Sequence, residues 1–188
     1  MIKAIETVYD GCRFRSRTEA RFATFFNALG LPWEYEKEGY EIDGERYLPD
    51  FWMSTLDCWV EIKGQQPNDS ECSKAFNLAR ASQKNTFILW GEFRPFKMEP
   101  IPESLYPRYR GVLGHGFLVE ENNVRWSDTF YMFGECTRCH MVGIWFHGES
   151  GISGTKSCLC GDDHCSSGDT PLLVAAYTAA RQARFEHR

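Results

Sequence analysis

Residues 57–64, which read Asp-Cys-Trp-Val-Glu-Ile-Lys-Gly, constrain this chain more than any other stretch. Their alternation predicts a strand with Cys58, Val60 and Ile62 on one face and Trp59, Glu61 and Lys63 on the other, ended by Gly64. Such a strand commits one face to apolar packing and sets a carboxylate beside an amine on the other. A second carboxylate, Asp50, follows Pro49 at the end of the preceding extended segment. If the two strands pair, Asp50, Glu61 and Lys63 stand together. That grouping suits magnesium, which prefers oxygen donors and is held by one or two carboxylates while water and phosphate complete its shell.

The flanking segments predict what frames this strand. Residues 16–29 read as a helix, because Phe22, Phe25, Phe26 and Leu29 recur on one face and Gly30 follows as a stop. Trp33 and Tyr35 alternate with glutamates as in a half-buried strand, and Asp43-Gly44 signals a tight turn between residues 40–42 and 46–48. After a polar loop, Cys72, Ala75, Phe76 and Ala79 mark a second amphipathic helix capped near Asp69 or Ser70; residues 86–90 then read as a buried strand. The order is helix, three strands, helix, strand, which places the chain in the α/β class.

Beyond residue 93 the signals change. Pro95, Pro100, Pro102 and Pro107 interrupt regular structure, so a linker is expected there. Residues 116–126 read as a hairpin bending at Glu121-Asn122-Asn123, residues 135–167 are rich in cysteine, and residues 171–185 form an alanine-rich final helix. The expected division is therefore a core over 1–95, a linker and hairpin extension over 96–134, and a metal-binding module with its helix over 135–188.

Eight cysteines would suggest a disulfide framework only in an oxidising compartment. Residues 1–6 hold no apolar run fit for a signal peptide, and the longest apolar runs, 87–90 and 172–177, cannot span a bilayer, so a cytoplasmic location away from membranes is expected. Cys136-x-x-Cys139 and Cys158-x-Cys160 then read as a zinc ribbon or knuckle, a closed structural site of four thiolates. Cys165 is the first reserve for the fourth ligand, with His164 and His140 as further alternatives. A redox role is set aside, since the flanks of the first pair suggest strand-turn-strand and not a helix start. Cys12, Cys58 and Cys72 are read as small buried hydrophobes.

The pattern Ser16-Arg17-Thr18-Glu19 on the first helix, then Pro49-Asp50, then Glu61-Ile62-Lys63, resembles the PD-(D/E)xK nuclease superfamily, particularly small phage-encoded members. The resemblance covers roughly the first half of the chain, and order and strand context carry it. It implies a restriction-endonuclease-like core with an appended zinc-binding module. It further implies that Asp50, Glu61 and the backbone carbonyl of Ile62 bind Mg2+ or Mn2+, that Lys63 orients the attacking water, and that Glu19 completes the site. The implied activity is a DNA endonuclease that hydrolyses phosphodiesters by metal-activated water, leaving a 5′-phosphate and a 3′-hydroxyl, with branched or recombining DNA as candidate substrates. DNA is the implied partner, and a homodimer is a further option.

Simpler readings stand beside these. Ser16-x-x-Glu19 also fits a helix capping box, and Glu61 with Lys63 fits a solvated strand face carrying an ordinary ion pair worth under about 1 kcal/mol. A formal net charge of -5 argues against a surface coated for non-specific DNA binding, so local clusters matter more. Arg13, Arg15, Arg17 and Arg21 near the first helix could meet phosphates; Arg181, Arg184 and Arg188 read better as a solvated helix face. The rival function is a catalytically silent nuclease-fold protein that binds DNA or a protein partner through its zinc module.

Overall fold

A computed structural model describes residues 5–95, 97–99, 108–146, 154–155, 160 and 166–185. In chain order the elements are β1 (Thr7–Tyr9), β2 (Cys12–Phe14), α1 (Arg17–Ala28), β3 (Glu34–Tyr35), β4 (Tyr40–Ile42), β5 (Glu45–Tyr47), β6 (Phe51–Met53), β7 (Cys58–Ile62) and α2 (Asp69–Ser82). There follow β8 (Asn85–Gly91), β9 (Lys97–Glu99), β10 (Arg108–Arg110), β11 (Val112–Glu120), β12 (Asn123–Cys136), β13 (Val142–Phe146), β14 (Ser166–Ser167) and α3 (Pro171–Gln182). The chain is thus a mixed α/β protein, as its sequence predicts, with three helices among the described residues.

Its centre is an eight-stranded sheet in the order β13-β12-β11-β8-β7-β6-β3, with β14 added on β12. Among the described residues only β7 and β8 pair in parallel in this sheet, joined by the crossover helix α2; its other pairs are antiparallel. A strand in that central place is covered on both faces. Every residue of β7 is accordingly buried, with Cys58, Val60 and Ile62 in the main core. Alternation continues on β8, where Phe87 and Leu89 face that core while Ile88 and Trp90 face α2.

The helices form because their apolar stripes have somewhere to go. Phe22, Phe25 and Phe26 of α1 are fully buried, and Phe25 stacks on Tyr177 of α3 with ring centroids 4.6 Å apart. Burial of each such ring stabilises by about 1.5–3 kcal/mol. Cys72, Ala75 and Ala79 seat α2 on the opposite side of the sheet. The molecule is therefore layered, with α1 and α3 on one face and α2 on the other.

Several expectations need correction. The α2 cap is Asn68, in a reciprocal capping box with Glu71, because its amide side chain reaches the Glu71 N–H at 3.0 Å. The hairpin around Asp43-Gly44 forms with both turn residues at positive φ, yet β4 and β5 make a separate two-stranded sheet. The later hairpin is longer than expected, β11 running from Val112 and β12 to Cys136, and its turn is Glu121-Asn122, both at positive φ. Within the expected linker, β9 and β10 pair with each other. The main sheet runs across both expected boundaries, since β11 pairs with β8 and β12 itself crosses from 134 to 135. The final helix ends at Gln182, not at 185. Among the described residues no helix is long and apolar enough to cross a membrane.

Candidate active site and metal centre

Asp50 lies at the head of β6, not at the end of the strand before it. The antiparallel register Phe51↔Val60 and Trp52↔Trp59 sets Asp50 level with Glu61 on β7. The two carboxylates are both 3% exposed and so lie far from bulk water. Burying an anion is costly unless hydrogen bonds or cations compensate, so each oxygen's partner matters.

Asp50 Oδ2 accepts the Ile62 amide at 2.7 Å, and Asp50 Oδ1 accepts from the Arg15 guanidinium. Glu61 Oε1 accepts from the Tyr47 hydroxyl, while Glu61 Oε2 faces the Lys63 ammonium at 3.6 Å. Lys63 also lies 3.8 Å from Glu71 on α2. Ile62 thus meets Asp50 through its amide; its carbonyl is the atom that the family resemblance implies as a metal ligand. Arg15 holds a second acid, Glu36, through its Nε at 3.0 Å.

Glu19 is capped by Ser16 but does not return the bond of a capping box, its carboxylate meeting the Arg15 amide and the Ser16 hydroxyl. Its own N–H donates to the Ser16 hydroxyl at 3.2 Å, which makes Ser16 the cap of α1. Its carboxylate is buried and accepts from Ser16 Oγ at 2.6 Å, from Tyr35 Oη at 2.6 Å and from the Arg15 amide at 3.1 Å. Both Glu19 oxygens therefore already have donors within the protein.

Electrostatics ties these groups into one cluster. Burial raises the Asp50 carboxyl well above the usual carboxylate range, and the charges of Glu61 and then Glu19 raise it further; the Ile62 amide and Arg15 oppose this without cancelling it. Burial and the neighbouring Glu61 likewise hold the Tyr47 phenol firmly protonated, so it remains a donor. Tyr35 stays a donor for the same first cause, burial, and then for its bond to Glu19. For Arg15 burial works against the charge, but Asp50, Tyr35 and Glu36 outweigh it. What gathers here is a set of three buried carboxyl groups with two cations at their rim.

Residue types alone did not reveal Tyr35, Tyr47, Glu36 and Glu71 as members of this cluster. Tyr47 lies three residues before Asp50 on the neighbouring hairpin, and only the placement of that hairpin over β7 brings it to Glu61. Arg15 had a signal, its place in the basic group beside the first helix.

The second cluster is built of sulfur. The Sγ atoms of Cys136, Cys139 and Cys160 lie within 4.8 Å of one another, with Cys136 and Cys160 4.0 Å apart. The backbone turns tightly after β12, His140 N donating to Cys136 O at 3.0 Å with His140 at φ 60°. That turn aims the amides of Arg138 and Cys139 at Cys136 Sγ, at 3.4 and 3.5 Å. Three sulfurs gathered this closely can hold a metal ion. His140 turns its Nδ1 to Glu135 at 2.7 Å. Cys158, Cys165 and His164 lie outside the described residues. The carboxylates of Glu19, Asp50 and Glu61 are not drawn as close together as these sulfurs.

Comparison of the chain with protein-family models, with curated proteins and with solved structures returned no match.

Proposed function

We propose that the protein is a metal-dependent deoxyribonuclease with a restriction-endonuclease-like core, hydrolysing DNA phosphodiesters at Asp50, Glu61 and Lys63. The observation that carries this reading is the pairing of two almost fully buried carboxylates, level on adjacent strands, with a lysine two residues beyond the second. Buried like charges are unfavourable together unless a cation joins them, and oxygen donors of this kind suit Mg2+ or Mn2+. Asp50 and Glu61 would hold the ion, and each already faces a side-chain cation, Arg15 and Lys63 respectively. Such an ion, when bound, supplies an activated water and offsets charge on the phosphate. Lys63 orients that water and offsets charge at a phosphate oxygen. The water oxygen bonds to phosphorus, the phosphorus–O3′ bond breaks, and the 3′-oxygen ends protonated.

For the sulfur cluster we infer a structural zinc held by Cys136, Cys139 and Cys160, with Cys158 as fourth ligand and Cys165 as its reserve. Four thiolates close the shell and leave no open position for chemistry.

One observation favours a second reading. Arg15, Tyr47 and Lys63 already meet the Asp50 and Glu61 carboxylates, as in a purely structural ion cluster. In that case the chain binds DNA or a protein partner without cutting. Incubation of the full chain with supercoiled and branched DNA across a magnesium and manganese series decides between them. Cleavage is expected in the wild type, with a loss of at least about a hundredfold in Asp50→Asn and in Lys63→Ala. No cleavage with either ion, or equal cleavage by Asp50→Asn, rejects the nuclease reading.

A further inference from the structure

Of the four carboxylate oxygens of Asp50 and Glu61, two meet neutral donors, the Ile62 amide and the Tyr47 hydroxyl. The other two meet cations, Arg15 at Asp50 and Lys63 at Glu61. Asp50 and Glu61 would hold a divalent ion in competition with these cations. Lys63 has a role in the reaction as read above; Arg15 has none. Yet its guanidinium rests on a carboxylate that would hold the ion.

We propose that Arg15 is a counter-ion of the Asp50 and Glu61 carboxylate pair that would give up Asp50 to a divalent ion and then meet a phosphate of the substrate. This inference rests on the nuclease reading. Its geometric basis is a fixed root with a free head. The Arg15 amide donates to Glu19 Oε2 at 3.1 Å and to Tyr35 Oη at 3.2 Å, which pins the backbone at the junction of β2 and α1. Its side chain is 56% exposed, whereas that of Asp50 is 4% exposed, so the arginine spans from buried carboxylate to solvent. Glu36, 3.0 Å from Nε, keeps the head at the mouth of the site once Asp50 lets go.

Charge supports the exchange. Two buried carboxylates face one another with a single cation against each, and a divalent ion placed between them would meet both at once. A released guanidinium then offers a planar fork of N–H donors that matches two phosphate oxygens. A structural arginine makes no such exchange; its loss would lower stability and leave metal and DNA binding as they were.

The test uses the full zinc-loaded chain as wild type, Arg15→Ala and Arg15→Lys. Calorimetric titration with Mn2+ in the absence of DNA comes first, with Asp50→Asn as the blank. Removal of the competing cation is expected to tighten Mn2+ binding in Arg15→Ala by about fivefold or more. Equilibrium binding of a short DNA duplex with Ca2+ in place of magnesium follows, over a salt series. Arg15→Ala is expected to bind about tenfold more weakly, with a salt slope shallower by about 0.9 for one lost phosphate contact. Arg15→Lys, which keeps the charge without the fork, is expected to retain the wild-type slope with reduced affinity. Unchanged or weaker Mn2+ binding in Arg15→Ala overturns the displacement, and an unchanged salt slope overturns the phosphate contact. If the wild type takes up no more Mn2+ than Asp50→Asn, the nuclease reading itself fails and takes this inference with it.

Discussion

Asp50 is protonated more readily in the fold than in the unfolded chain, first because it is buried and then because Glu61 and Glu19 stand near it. A carboxyl whose folded pKa lies above its unfolded value contributes stability that is fully present below the unfolded pKa and is lost as pH rises through the folded one. Magnesium-free, zinc-loaded protein is therefore expected to lose stability as pH climbs above the ordinary carboxylate range. Asp50→Asn, which cannot ionise, is expected to flatten that decline; melting curves at a series of pH values check it, and parallel profiles would contradict it. Glu19 presents the opposite case, a carboxylate whose oxygens serve the protein. Arg15 N–H and Tyr35 O–H share one carboxylate oxygen and Ser16 Oγ meets the other, so a glutamine can keep its oxygen on the first two and turn its amide to Ser16, whose hydroxyl can accept. Glu19→Gln should therefore stay within about 1 kcal/mol in urea unfolding while most cleavage survives. Wild-type stability with lost cleavage would make Glu19 a metal ligand instead.

Among the elements, the junction between β8 and β11 is set by backbone alone. Gly91 has φ of 106°, and a Cβ there would stand 2.1 Å from the Gly111 carbonyl oxygen. Gly91→Ala is expected to destabilise by at least about 2 kcal/mol, since conformational strain and a backbone clash act together. Gly64, just past β7, has nothing within 4 Å of the same added atom, so Gly64→Ala should stay within about 0.5 kcal/mol. Urea titrations of the two variants test the contrast. The elements that were legible share strong local signals: the phenylalanine stripe of α1, the alternation of β7, the alanine-rich run that Pro171 opens in α3. Those missed are short. β6 has three residues, too few to show a period, and is defined by its pairing with β7. The hairpin of β1 and β2 carries Asp10-Gly11, the same turn signal as Asp43-Gly44, but its flanks are three residues each. Tertiary pairing decides such strands, and it is not written in any short window.

For the molecule as a whole, the same division runs through the two candidate sites. Asp50, Glu61 and Lys63 were legible because strand period and order bring them together, whereas Arg15 reaches Asp50 across 35 positions and Tyr47 reaches Glu61 across 14. Cys136 and Cys139 were legible because one tight turn joins them. What that turn does for the fold follows from β12, a single strand that pairs with β11 near the sheet's middle and ends at Cys136. β13 pairs with β12 over Tyr131 to Glu135, and β14 pairs at Glu135 and Cys136, so both depend on the end of β12 that the proposed zinc would fix. β7 pairs with β6 and β8, β8 meets that end at Tyr131, whose ring centroid lies 5.5 Å from that of Phe87, and α3 holds to α1 through Tyr177 and Phe25. Loss of metal should therefore open the molecule from one edge and not collapse it. In Cys139→Ser, or after zinc chelation, amides of Val142–Phe146 are expected to lose most of their hydrogen-exchange protection while those of Cys58–Ile62 and Asn85–Gly91 keep theirs. Protection lost equally across all three strands would mean instead that the zinc end holds the entire sheet, with the carboxylate site folding only when the metal is bound.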